Sequence, residues 1–130
     1  MTLKEIEGGV TAAQGFTAAG FYCGIKESIV RKRDIAIIYS DKKANVGGVF
    51  TTNQFAAAPV EWSREVVKRG TAQMIVANSG IANACTGEQG RQDVKTIAET
   101  AAQYGRVAVE DVLVCSTGVI GHTLPMDKVS

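Results

Sequence analysis

Met74-Ile75-Val76-Ala77-Asn78-Ser79-Gly80-Ile81-Ala82-Asn83-Ala84-Cys85-Thr86-Gly87-Glu88-Gln89-Gly90 opens on an apolar run, crosses a block of small and polar residues, and ends where helix signals begin. A short apolar run closed by Ser and Gly predicts a central strand. Thr86 with Gln89 three residues on has the spacing of a capping box, and Val94, Ile97, Ala98 and Ala101 then share one helical face until Gly105 stops the helix. Outward from this stretch, Val112-Leu113-Val114-Cys115 is a second run of the same kind, again followed by Ser and Gly. Upstream, Ile35-Ala36-Ile37-Ile38-Tyr39 predicts a strand closed by the polar turn Ser40-Asp41-Lys42-Lys43. Val49-Phe50-Thr51-Thr52 after Gly47-Gly48 predicts its hairpin partner or neighbour. A short helix is expected over 63–69, with Ser63 as N-cap and Gly70 as stop, and a further helix starts at Pro125, where proline suits a first turn. Strands interleaved with helices make this an α/β chain, with a mixed sheet and outer helices, and residues 1–130 form a single domain.

The 130 residues are 45% hydrophobic and 21% charged, with Lys+Arg 14 against Asp+Glu 13, the balance of one globular domain. A net charge of +1, and a basic run Arg31-Lys32-Arg33 broken at once by Asp34, leave no counterion-release footprint, so no nucleic-acid partner is expected. No apolar run approaches the ~18 residues of a membrane span. The start Met1-Thr2-Leu3-Lys4-Glu5-Ile6-Glu7 lacks the apolar core of a signal peptide, and a cytoplasmic protein is expected. Cys23, Cys85 and Cys115 are odd in number and far apart, with His122 the only histidine, which argues against a metal site or a disulfide framework. The helix opening at Pro125 has no room before Ser130 for an apolar stripe, so the chain is expected to be cut from a longer one.

Two clusters can carry chemistry. Residues 78–90 join a strand to a helix through residue types that permit tight turns, and they either aim backbone N–H groups at a ligand or merely connect the two elements. Cys115-Ser116-Thr117-Gly118-Val119-Ile120-Gly121 also follows a strand, and Ser and Thr hydroxyls beside a glycine N–H are the donors an oxyanion needs; a structural glycine turn fits the same residues. The spacing is not that of a nucleophile elbow. His122 has no sequence argument for a catalytic role, and the cysteines are expected as small buried residues. Thr51-Thr52-Asn53 reads as a polar strand edge, and Trp62, Phe50 and Phe55 as core or interface. No Walker, dinucleotide or HExxH pattern occurs.

The succession Gly9-Val10-Thr11, Gly15-Phe16, Ala18-Ala19-Gly20, Gly48-Val49-Phe50-Thr51-Thr52-Asn53, residues 78–90, Ser116-Thr117-Gly118-Val119-Ile120-Gly121 and Leu124-Pro125-Met126 resembles the N-terminal part of the bifunctional glutamate N-acetyltransferase, or ornithine acetyltransferase, family of arginine biosynthesis. The likeness covers nearly the whole chain. It implies a precursor that cuts itself into α and β chains, with these residues making up most of α and ending before the cleavage site. The fold implied is part of a larger self-processing αββα-like sandwich.

The N-terminal threonine of β would take the acetyl group of N2-acetylornithine and pass it to glutamate, its own α-amino group serving as base. The oxyanion hole carries over to Thr117 and Gly118. The implied partner is the β chain from the same precursor, in a heterotetramer of two α and two β chains. No prosthetic group is implied, though some members accept acetyl-CoA as a substrate. Ile81 stands where the family has Asn, and Ala13-Gln14 where it has a Pro-Lys or similar pair. No segment resembles the cleavage region, so the chain alone is expected to be inactive. Two alternatives stand beside this: a related self-processing aminopeptidase or amidohydrolase, and a non-catalytic truncated binding module.

Overall fold

The structure is a computed structural model and describes residues 4–26 and 32–130; the first three residues of the N-terminal stretch and Arg31 of the basic run lie outside the described residues. Four strands form one sheet in the order β1 (Phe16–Phe21), β2 (Ile35–Asn45), β3 (Thr71–Ile81) and β4 (Val112–Val119). β1, β2 and β3 pair antiparallel, while β4 lies parallel to β3. Parallel neighbours need a crossover, and helix α2 (Gly87–Gly105) supplies it. The expected mixed sheet with helices outside it is therefore present.

One face of the sheet holds the main core. Val94, Ile97, Ala98, Ala101 and Ala102 of α2 pack on Ile35, Met74, Val76, Val112 and Val114. The predicted α2 stripe is the stripe that is buried. On the other face, by strand alternation, lie Ala18, Ala36, Ala77, Cys115 and Thr117, and none of these is buried.

Helix α1 (Ala58–Lys68) covers the outer edge of β4. Trp62 Nε1 donates to the Val112 carbonyl at 2.8 Å. Ser63 Oγ donates to the Val114 carbonyl at 2.9 Å and accepts from the Val114 N–H at 3.1 Å. An unpaired strand edge is thus satisfied by side chains. Around it Val66 packs on Ala72 and Leu113. A short helix α3 (Met126–Val129) follows Pro125, as expected.

Several expectations need correction. Ser63 is not an N-cap: α1 begins at Ala58 with Pro59 in its first turn, and Ser63 is a buried mid-helix residue serving the β4 edge. Residues 40–43 do not form a turn; β2 runs through them, and the bond from Ser40 Oγ to the Lys42 carbonyl accompanies a register irregularity between Tyr39 and Ala44. Residues 49–52 are not a strand. Both edges of β2 are already taken by β1 and β3, so no hairpin partner fits there.

The capping box at Thr86 does not form, because Thr86 Oγ1 donates to Asn83 Oδ1 at 2.5 Å and Gln89 Nε2 to Asp93 at 2.8 Å. Strand β1, rich in Ala and Gly, has no β-branched run to announce it and was not expected.

Candidate active site

β3 and β4 run side by side in register to their C-terminal ends, so Ser79 stands opposite Thr117 and Gly80 opposite Gly118. Of the stretch anticipated as a connection, residues 78–81 belong to β3, 82–86 join it to α2 and 87–90 open that helix, while 115–119 of the anticipated glycine turn belong to β4. Both clusters thereby come together at one end of the sheet. Thr117 and Gly118, the two site residues expected from the sequence, are exposed.

Strand alternation sorts their donors. In a parallel pair each residue sends both backbone groups to the same side. Val112 and Val114 face outward to α1, and Ser116 and Gly118 continue that outward row past the cover of the helix. Val119, in the inward row, accepts from Ala82 N–H at 2.9 Å. The Gly118 N–H therefore points to the open edge, while the Thr117 N–H faces β3 and leaves the hydroxyl as the group Thr117 presents on the uncovered face. That face carries an open depression of about 470 Å³ lined by Thr117, Ser79, Ala77, Ala36, Asp34 and Arg33.

Gly118 has φ +134, and a Cβ there would fall 2.3 Å from both C and O of Gly80. Only glycine allows that approach and that backbone angle. Gly80 has φ +119, and a Cβ on it would lie 3.2 Å from Lys26 Cβ. The two glycines thus press main chain on main chain at the end of the sheet.

Bonds around the pair hold it. Asn83, 2% exposed, donates its N–H to Ser116 Oγ at 2.8 Å and its side-chain amide to the Gly90 carbonyl at 2.7 Å. It so ties β4 to the first turn of α2. Asp34 accepts from the N–H groups of Cys23 at 2.6 Å and Ile25 at 2.8 Å, and its carbonyl accepts from Ser79 N–H at 2.8 Å. Burial pushes the Asp34 carboxyl up, but the main-chain N–H groups of Cys23, Ile25 and Gly24 outweigh it and hold it below its ordinary value. Neither residue was singled out from the sequence: Asp34 counted only as a break in a basic run, and Asn83 only as one of several turn formers.

Other candidates fall away from the pair. His122 is exposed in the segment after β4. Cys85 and Cys115 are exposed, contrary to the expectation of buried residues, because the face that holds Cys115 is uncovered. Burial, and then the Asp34 charge, push the Cys23 thiol up, which disfavours a thiolate there. Thr51 and Asn53 form local turns, Thr51 Oγ1 accepting from Asn53 N–H and Asn53 Oδ1 from Phe55 N–H. Trp62 is core, whereas Phe55 is exposed. Among the described residues no group of three or more metal-ligating side chains occurs, and no helix is long and apolar enough to cross a membrane.

A sequence model of the ArgJ family matches residues 17–130. The chain is 52% identical over 127 residues to the arginine biosynthesis bifunctional protein ArgJ of Caldanaerobacter subterraneus subsp. tengcongensis, spanning 98% of this chain and 31% of that protein. It is 51% identical over 120 residues to the protein of the same name from Streptomyces coelicolor, spanning 92% and 31%. Among solved structures, the arginine biosynthesis bifunctional protein ArgJ of Bacillus halodurans matches with a TM-score of 0.87 at 40% identity, covering 94% of this chain and 63% of that one. The ornithine acetyltransferase of Mycobacterium tuberculosis, complexed with ornithine, matches with a TM-score of 0.82 at 42% identity, covering 93% and 65%. The chain spans about a third of the length of the curated relatives it matches.

Proposed function

Because this chain belongs to the ArgJ family, we propose that it supplies the oxyanion hole of an enzyme that moves an acetyl group from N2-acetylornithine to glutamate. The observation that carries this is the placement of Thr117 and Gly118: a hydroxyl on an open face and an N–H on an open edge, adjacent in sequence and fixed by a close glycine contact.

The nucleophile belongs to a partner β chain, whose N-terminal threonine hydroxyl attacks the acetyl carbonyl while its α-amino group takes the proton. The carbonyl oxygen becomes an oxyanion between the Thr117 hydroxyl and the Gly118 N–H, donors set in place before charge develops. Collapse breaks the C–N bond, the proton goes to the departing amine, and ornithine leaves an acetyl-threonine ester. The glutamate amine then attacks that ester through a second oxyanion in the same hole. N-acetylglutamate departs, and the threonine hydroxyl is restored. Acetyl-CoA, where accepted, would load the same threonine with loss of the thiol, and no prosthetic group enters the scheme.

A two-chain enzyme is supported by lengths: the match spans 31% of the curated relatives but 63% of the solved Bacillus halodurans chain, so that chain is about half as long as the curated proteins. The uncovered face beside Thr117 supports a second layer stacked there, as in a sandwich completed by the rest of the polypeptide in the cytoplasm. An α2β2 assembly is the expected oligomer.

The test is Thr117→Ala in a full-length enzyme carrying these 130 residues. Loss of one oxyanion donor lowers kcat by about 10²-fold or more, and unchanged turnover would remove the hydroxyl from the mechanism. Glutamate should accelerate ornithine release from acetylornithine; release at the same rate without it would favour hydrolysis by an amidohydrolase.

A further inference from the structure

We propose that Asp34 is a positioning residue for the oxyanion pair, an inference that rests on the role given to Thr117 and Gly118. Asp34 precedes β2 and is hydrogen-bonded to Ser79 and to the segment that lies over Gly80, the two residues that stand beside the pair. Its carbonyl holds the Ser79 N–H at 2.8 Å, and Ser79 is the register partner of Thr117. Its carboxylate holds Cys23 and Ile25 by their N–H groups, and the segment so fixed lies over Gly80, with Lys26 Cβ and Ile25 Cγ2 at 3.2 and 3.5 Å from the point where a Gly80 Cβ would stand. Gly80 in turn backs directly on Gly118. Two short paths therefore run from one aspartate, by main chain to Thr117 and by side chain to Gly118.

Each carboxylate oxygen already accepts a short main-chain bond. Asp34 is accordingly assigned neither proton transfer nor substrate binding, although it lines the same depression as Thr117. A charged acceptor makes stronger bonds to N–H than a neutral one, and an amide in its place would turn one acceptor into a donor facing a main-chain N–H. The segment over Gly80 would shift, and the Gly118 N–H with it. A misplacement of about 1 Å at a preorganised donor is enough to slow the chemical step.

The experiment is a double-mutant cycle in the full-length enzyme, measuring kcat, KM for acetylornithine and the urea midpoint. Asp34→Asn should lower kcat about tenfold with KM within about twofold, under conditions where the variant is folded. In the Thr117→Ala background the same change should cost about as much again, because the carboxylate acts through Gly80 on Gly118, whose N–H that substitution leaves in place. A loss that vanishes in the Thr117→Ala background, a KM effect with kcat intact, or no effect would overturn the assignment.

If Thr117→Ala itself leaves kcat unchanged, the oxyanion role falls and this inference with it; if only the Asp34 variants are silent, the oxyanion role stands alone. Should Asp34→Asn not fold, Asp34→Glu keeps the charge but displaces the acceptors, and the same kcat-selective loss is expected. Wild-type kcat in that variant counts against the proposal.

Discussion

At Gly118 the main chain leaves no room for a side chain, since any Cβ would overlap the C and O of Gly80 at 2.3 Å. Gly118→Ala is expected to lower stability by about 3 kcal/mol or more, from overlap and positive-φ strain together, with a shift in the urea midpoint as the check. Asp34 makes a pH-dependent prediction. Its carboxyl is held below the ordinary value in the folded chain, so its contribution is fully present above the unfolded pKa of about 4 and is lost as pH falls through the lower folded value. The stability gap between wild type and Asp34→Asn should be flat near neutrality and close as the solution becomes acidic; a gap that widens in acid would contradict it. Thr117 and Gly118 come forward as candidates through the family resemblance, since hydroxyls beside a glycine after a strand fit a structural turn as well as a donor set. Their dependence on Gly80 and Asp34 could not be read from the sequence, because it lies in register and contact between residues far apart along the chain.

At the scale of elements, α1 is a device for closing the β4 edge. Ser63→Ala would strip the Val114 N–H and C=O of their partner, and leaving such groups buried lowers stability by roughly 1–3 kcal/mol. Ser63→Thr retains the hydroxyl and should lose less, as denaturant titration of both variants would report. The sequence made α2 plain through its apolar period. It hid α1 because Ser63 resembles a cap, and the true start, marked by Pro59, precedes it. The polar residues 40–43 look like a turn for a similar reason: local chemistry favours a bend, yet β2 pairs on both sides and absorbs it as a register irregularity. Strand β1 has almost no local signal, and its pairing with β2 alone makes it a strand.

Across the whole molecule, α2 covers one face of the sheet, while the other is covered only around Leu113, where Val66 packs, and is open from Cys115 onward. Cys115 sits on that open part and is exposed. A thiol reagent should label it in the 130-residue chain, whereas in the full-length enzyme the second layer proposed to stack there should protect it, as peptide mass spectrometry would resolve against an unfolded control. Equal labelling in both would exclude a layer at that position. The sheet also has a built-in order of assembly. Each strand pairs with the next along the chain, and β4 comes last, reaching its parallel partner only after the α2 crossover has been made. The donors proposed for the oxyanion lie on this last strand. In a nascent chain leaving the ribosome, the strand that carries Thr117 and Gly118 is therefore laid down after the strands that back it.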